Sequence, residues 1–187
     1  MNKYFLLLII FLSSCKNKEN TTKLQVISNN DNIQITEKVA NLRAFGKDIC
    51  SGKIQPSDDE NTFNCLDSIS NSEKQTRVFY FSIFKCISKK SDGALSEYIG
   101  GVVKDYFENY PLEAMENYLK MEDKEKEDFS FHLSFELALS SEEAIQKTCK
   151  TYFGNIEKNN TSLLNNVKYR FLKENVIKEA IEIYKAN

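Results

Sequence analysis

The chain has no tryptophan, one histidine, two prolines and six glycines in 187 residues. Each scarcity excludes something. One histidine leaves no multi-histidine metal site. So few glycines and prolines argue against turn-rich all-β folds and against glycine loops that cradle phosphates. No GxSxG nucleophile turn and no CxxC pair is present. An excess of one charge is missing as well: 25 Lys and Arg face 27 Asp and Glu, a net charge of −2. The chain therefore has no electrostatic footprint for nucleic acid. What remains is enough for a packed core, since 41% of residues are hydrophobic and 12% aromatic. The length suits one domain with a tail.

The first fifteen residues read MNKYFLLLIIFLSSC. Lys3 is a positive n-region, and Phe5 to Leu12 is an apolar run too short to span a bilayer. Leu12-Ser13-Ser14-Cys15 resembles the lipobox of bacterial lipoproteins. That resemblance implies cleavage after residue 14, lipid on the Cys15 thiol and acylation of the new amino group. Several acyl chains anchor far more firmly than one. The alternative is an N-terminal buried helix of a cytosolic protein. Lys16 after the cysteine favours the outer membrane under the enterobacterial sorting rule. Loss of residues 1–14 removes Lys3, leaving 173 residues with 24 basic and 27 acidic side chains. Residues 15–31 read as a polar tether, and sixteen residues reach about 50 Å when extended.

From residue 32 to 187 the period is helical, and a single helical domain is expected. Thr36 is positioned to cap a helix carrying Val39, Leu42, Phe45 and Ile49, which stops near Gly52 and Pro56. A short helix is expected over Thr62–Ile69. Ser72 to Gln75 is a capping-box pattern opening a helix that is apolar on most sides. Leu95, Ile99, Val102, Val103, Tyr106 and Tyr110 form a helical stripe, and Pro111 fits the first turn of the next helix. Glu122 to Asp128 reads as a charged connection. Ser140 to Glu143 is a second capping box, opening a helix with Ile145, Cys149, Tyr152, Phe153 and Ile156. Leu164, Val167, Phe171, Val176, Ala180, Ile181 and Tyr184 mark the last helix. The fold class is all-α, a stack of short antiparallel helices loosely of HEAT or armadillo type. One segment resists, because residues 129–139 alternate strictly, as a strand does. A buried helix is the favoured reading there. The alternative is an α+β fold with a small sheet that includes 129–139.

With Cys15 assigned to lipid, Cys50, Cys65, Cys86 and Cys149 form an even set, which in an exported domain reads as two disulfides. Of three pairings, Cys50–Cys65 and Cys86–Cys149 are favoured. Free buried thiols, or a metal or redox pair, are the alternatives.

Candidate chemistry is sparse. His132 sits in an apolar segment and reads as a satisfied histidine before it reads as a general base. Asp58-Asp59-Glu60 lacks the spacing of a calcium loop and reads as a solvated acidic loop. Burial of Glu136 would raise its pKa. Tyr110 and Tyr118 flank a helix corner and form a candidate interaction patch. No catalytic residue, cofactor or metal is assigned. The sequence is read as a membrane-anchored envelope lipoprotein with a non-catalytic helical domain that binds an unknown protein and no nucleic acid. An immunity or inhibitor protein is one form of it. A hydrolase using acidic residues and His132, or a passive structural tether, are the alternatives.

Overall fold

The computed structural model describes residues 29–141 and 144–186. The lipobox, the signal run 1–14, Cys15 and the tether up to residue 28 lie outside the described residues. Among those described there are eight α-helices, two 3-10 segments and no strand. In order, α1 spans Asn29–Cys50, α2 Glu60–Asp67, α3 Lys74–Ser88 and α4 Gly93–Asn109. Then α5 spans Pro111–Lys120, α6 Asp123–Leu139, α7 Ile145–Asn159 and α8 Val167–Ala186. None of these is long and apolar enough to cross a membrane.

The helices stack by alternate members. α4, α6 and α8 lie side by side, with α6 in the middle. α5 packs on α4, α7 packs on α8 and α6, and α1, α2 and α3 pack on one another at the other end. Two buried aromatic nodes tie the stack. Phe129 of α6 meets Phe84 of α3, Phe107 of α4 and Tyr118 of α5 at ring separations of 6.3, 6.4 and 5.8 Å. Tyr169 of α8 meets Phe107 and Phe153, both at 6.3 Å.

The stripe read in α4 is buried as expected from Leu95 to Tyr106, and Pro111 opens α5. Several boundaries move. α1 begins at Asn29, upstream of Thr36 and inside the stretch read as tether. The charged run from Glu122 is the first two turns of α6, where Glu122 and Glu125 form a reciprocal capping box. Ser140 ends α6 instead of opening α7, its backbone N–H donating to the Glu136 carbonyl.

Residues 129–139 are helical, and the physics of the alternation is plain. Successive odd positions lie 200° apart on a helix. Phe129, Leu133 and Leu137 therefore face the core, while Phe131 and Leu139 are 42% and 51% exposed on the opposite side. Two of the polar residues between them, His132 and Ser134, are buried beside polar partners. The single Ser134 hydroxyl proton is shared between the Ser130 carbonyl, 2.7 Å from Oγ, and Glu179 on α8, 3.0 Å away. A helix satisfies its own backbone, so no partner strand is needed.

The cysteine pairing differs from the expectation. One disulfide joins Cys50 to Cys86 with a Cα–Cα distance of 5.2 Å, and Cys65 and Cys149 are free, buried thiols. Cys50 is the last residue of α1 and lies against α3. Cys65, though nearer in sequence, is turned inward toward the Leu42 carbonyl, 3.8 Å from its sulfur. Cys149 sits on α7, in the half of the stack away from α3.

Candidate functional site

A groove of about 640 Å³ runs between α4 and the α2 region. α4 contributes Ala94, Glu97, Tyr98, Gly101, Val102 and Asp105. Phe63 and Asp67 come from α2, Ser70 from the following 3-10 turn, and Glu136 from α6. The rings of Phe63 and Tyr98 pack at 4.3 Å and form one wall. The Tyr98 hydroxyl donates to Asp67 Oδ1 at 2.7 Å. Burial, and then this carboxylate, push the Tyr98 phenol up to about 12, so it remains a donor. Burial also raises the Glu136 carboxyl; Lys104 opposes the rise and Asp105 adds to it. The Ser70 hydroxyl oxygen is buried with no hydrogen-bond partner among the described residues.

Two adjacent glycines of α4 have opposite surroundings. A Cβ on Gly100 would lie 3.2 Å from both Glu136 Cβ and the His132 carbonyl, so this glycine lets α4 and α6 approach closely. A Cβ on Gly101 would meet nothing within 4 Å. A glycine within a helix costs about 1 kcal/mol relative to alanine. At Gly101 no packing contact offsets that cost, and the missing side chain deepens the groove.

A larger cleft of about 870 Å³ lies along α1 and α2, floored by Leu42 and Phe45 and lined by Asn41, Asn61, Asn64 and Asn71. Its rim carries Glu37, Lys38 and Asp67, charges of both signs, and it shares only Asp67 with the α4 groove. Charge bias distinguishes the smaller site.

The residues singled out in the sequence fall elsewhere. His132 is 4% exposed, with Nε2 3.2 Å from Ser88 Oγ and its ring 5.9 Å from that of Phe131. Burial lowers its pKa, against the pull of Asp128 and a hydrogen bond with the Ser96 backbone. It is one turn from Glu136 but is not part of the groove. Asp59 is the cap of α2: its carboxylate accepts from the Thr62 amide at 3.0 Å and the Ser57 hydroxyl at 2.6 Å. Tyr110 and Tyr118 form no exposed patch. Tyr118 is buried against Phe129, and the Arg77 guanidinium covers the Tyr110 ring at 3.8 Å.

No family model, no curated protein and no solved structure matches the chain. The all-α class is shown by the helices themselves. Of the groove, the sequence singled out Glu136 for its chemistry, Val102 for the α4 stripe and Tyr98 as one of several tyrosines. The signal for the rest is the i, i+4, i+8 line of Glu97, Gly101 and Asp105, beside the apolar stripe of α4.

Proposed function

We propose that this chain is a membrane-anchored envelope lipoprotein whose helical domain acts by binding a protein. The observation that carries the reading is the outer face of α6. Phe131 stacks on Phe135 at 5.9 Å, and Leu139 follows one turn later, 51% exposed. An apolar line on the outside of the central helix is the kind of surface that a protein partner covers. The lipobox-like start supports anchoring. The Cys50–Cys86 disulfide fits an oxidising compartment outside the cytoplasm. An inhibitor or immunity protein is a specific form of the same function. The hydrolase reading has less to stand on, because His132 is buried beside Phe131 and outside the groove.

Crosslinked capture of the full chain from its own envelope tests the proposal. A stoichiometric protein partner is expected with the native sequence, and its loss is expected with Phe131→Asp combined with Phe135→Asp. Recovery of the chain alone overturns the binding function. A partner retained by the double variant moves the contact away from α6.

A further inference from the structure

We infer that the groove between α2 and α4 receives a basic side chain, lysine or arginine, from an exposed segment of the protein partner. The inference rests on the protein-binding reading above and adds the chemistry of the contact.

Charge is the first argument. Three enclosed carboxylates elsewhere are paired, Glu113 with Arg77, Glu125 with Lys85 and Lys89, and Glu157 with Lys173, whereas in the groove Glu136 is half-buried and Asp67, Glu97 and Asp105 are exposed along its rim. In the groove, Asp67, Glu97, Asp105 and Glu136 form no ion pair among the described residues. Four carboxylates line one concavity, with the Lys104 charge acting on Glu136, and low-dielectric walls concentrate the remaining negative potential.

The second argument is shape. The walls are apolar and aromatic, from the Phe63–Tyr98 pair and Val102. Lysine and arginine have an apolar stem and a charged end, and the stem lies well along such walls while the charge reaches the carboxylates. A metal ion fits less well, since no three acidic, histidine or cysteine side chains among the described residues converge to hold one.

The floor supplies the third. Gly100 is accounted for by helix packing, whereas a Cβ on Gly101 would point into open space within the groove. Its absence leaves the α4 backbone accessible and makes room for the stem of an incoming side chain.

The test is fluorescence anisotropy of a labelled tetralysine peptide titrated with the full chain in detergent micelles. Saturable binding is expected, about tenfold weaker in 300 mM than in 50 mM salt as screening shortens the reach of the carboxylates. Gly101→Leu changes no charge and fills the groove, and it is expected to weaken binding about tenfold. Asp105→Asn combined with Glu136→Gln is expected to do the same, with the helical circular dichroism of both variants intact. Absence of peptide binding overturns the inference. So does equal binding by the native chain and Gly101→Leu, or equal binding of a tetraglutamate peptide. Envelope capture separates the two readings. A partner held equally by the native chain and Gly101→Leu sinks the groove assignment and leaves the protein-binding function standing. No captured partner, with peptide binding intact, sinks the protein-binding function and leaves the groove as a cation site.

Discussion

Arg77 and Glu113 form a two-pronged ion pair, Nε to Oε1 at 2.9 Å and Nη2 to Oε2 at 2.8 Å, that joins α3 to α5. The remaining guanidinium nitrogen donates to the carbonyls of Asn71 and Ser72 at 2.8 and 2.9 Å. The Tyr106 hydroxyl donates to Glu113 Oε1 at 3.2 Å and accepts from Asn117 at 2.8 Å. The side chains of the pair are 7% and 11% exposed. Removing one partner strands a charge that is nearly out of water, at a cost of about 3–5 kcal/mol. Arg77→Met and Glu113→Leu are each expected to lose stability on that scale. The double variant is expected to lose clearly less than the sum of the two. Urea denaturation of the four proteins measures the coupling, and simple additivity would contradict a paired arrangement.

The two glycines of α4 predict opposite outcomes. Gly101→Ala adds a methyl into open space and gains helix propensity, so a rise in stability of about 0.5–1 kcal/mol is expected. Gly100→Ala pushes a methyl against the α6 backbone, and the overlap outweighs the propensity gain, leaving a net loss of about 1 kcal/mol. Thermal melts of the two variants beside the native chain decide it. Equal shifts of the same sign would show that α4 and α6 do not meet at Gly100.

These contrasts also show how far the sequence could be read. The buried stripe from Leu95 to Tyr106 was legible because it follows one helical period and nothing competes with it. Pro111 was legible because its ring fits only the first turn. α6 was ambiguous because its inner face mixes Phe129, Leu133 and Leu137 with His132 and Ser134, while its outer face carries Phe131 and Leu139. Polarity there does not report burial. The last helix misled in a similar way. Val167 and Phe171 are 64% and 60% exposed, and the buried line runs through Tyr169, Leu172, Val176 and Ala180. Cysteine partners were out of reach, since pairing depends on which helices lie together, and Cys50 and Cys86 are 36 residues apart. The groove carboxylates come from three separate segments, and only the fold brings them together.

The cysteine arrangement can be counted. The chain has five cysteines, two of them joined in the disulfide. Thiol titration in denaturant without reductant should find Cys65, Cys149 and no third group if Cys15 carries lipid, and three thiols if it does not. Burial, and then the Asp59 charge, push the Cys65 thiol up to about 12, so neither it nor Cys149 should react at neutral pH before denaturant is added. Replacing both Cys50 and Cys86 with serine should cost at most about 4 kcal/mol, the loop-closure contribution for a loop of this length. An unchanged denaturation midpoint would mean that the link is not formed.

Acid should weaken the contact between α3 and α6. Burial alone would raise the Glu125 carboxyl, but hydrogen bonds from Lys89, the Glu122 amide and Lys85 hold it down at about 2. A carboxyl with a depressed folded-state pKa stabilises the protein above its unfolded value of 4.5, and this stability is lost as pH falls toward 2. Denaturation midpoints measured from pH 6 down to pH 2 should fall through that window. The fall should be shallower in Glu125→Gln, which has less stability to lose. Parallel curves for the two proteins would remove Glu125 from the account.

The position of the Cys50–Cys86 link has a mechanical meaning. α1 is a rod of 22 residues, about 33 Å long, and it is the element nearest the N-terminus among those described. Its packing against α3 is tight at Gly46, where a Cβ would lie 3.1 Å from Ile83. The covalent bolt is at its far end, at residue 50. A pull delivered from the N-terminus can peel the rod away turn by turn, but it stops at the bolt. Beyond that point the load passes into α3 through a covalent bond, and α2, inside the closed loop, is bypassed.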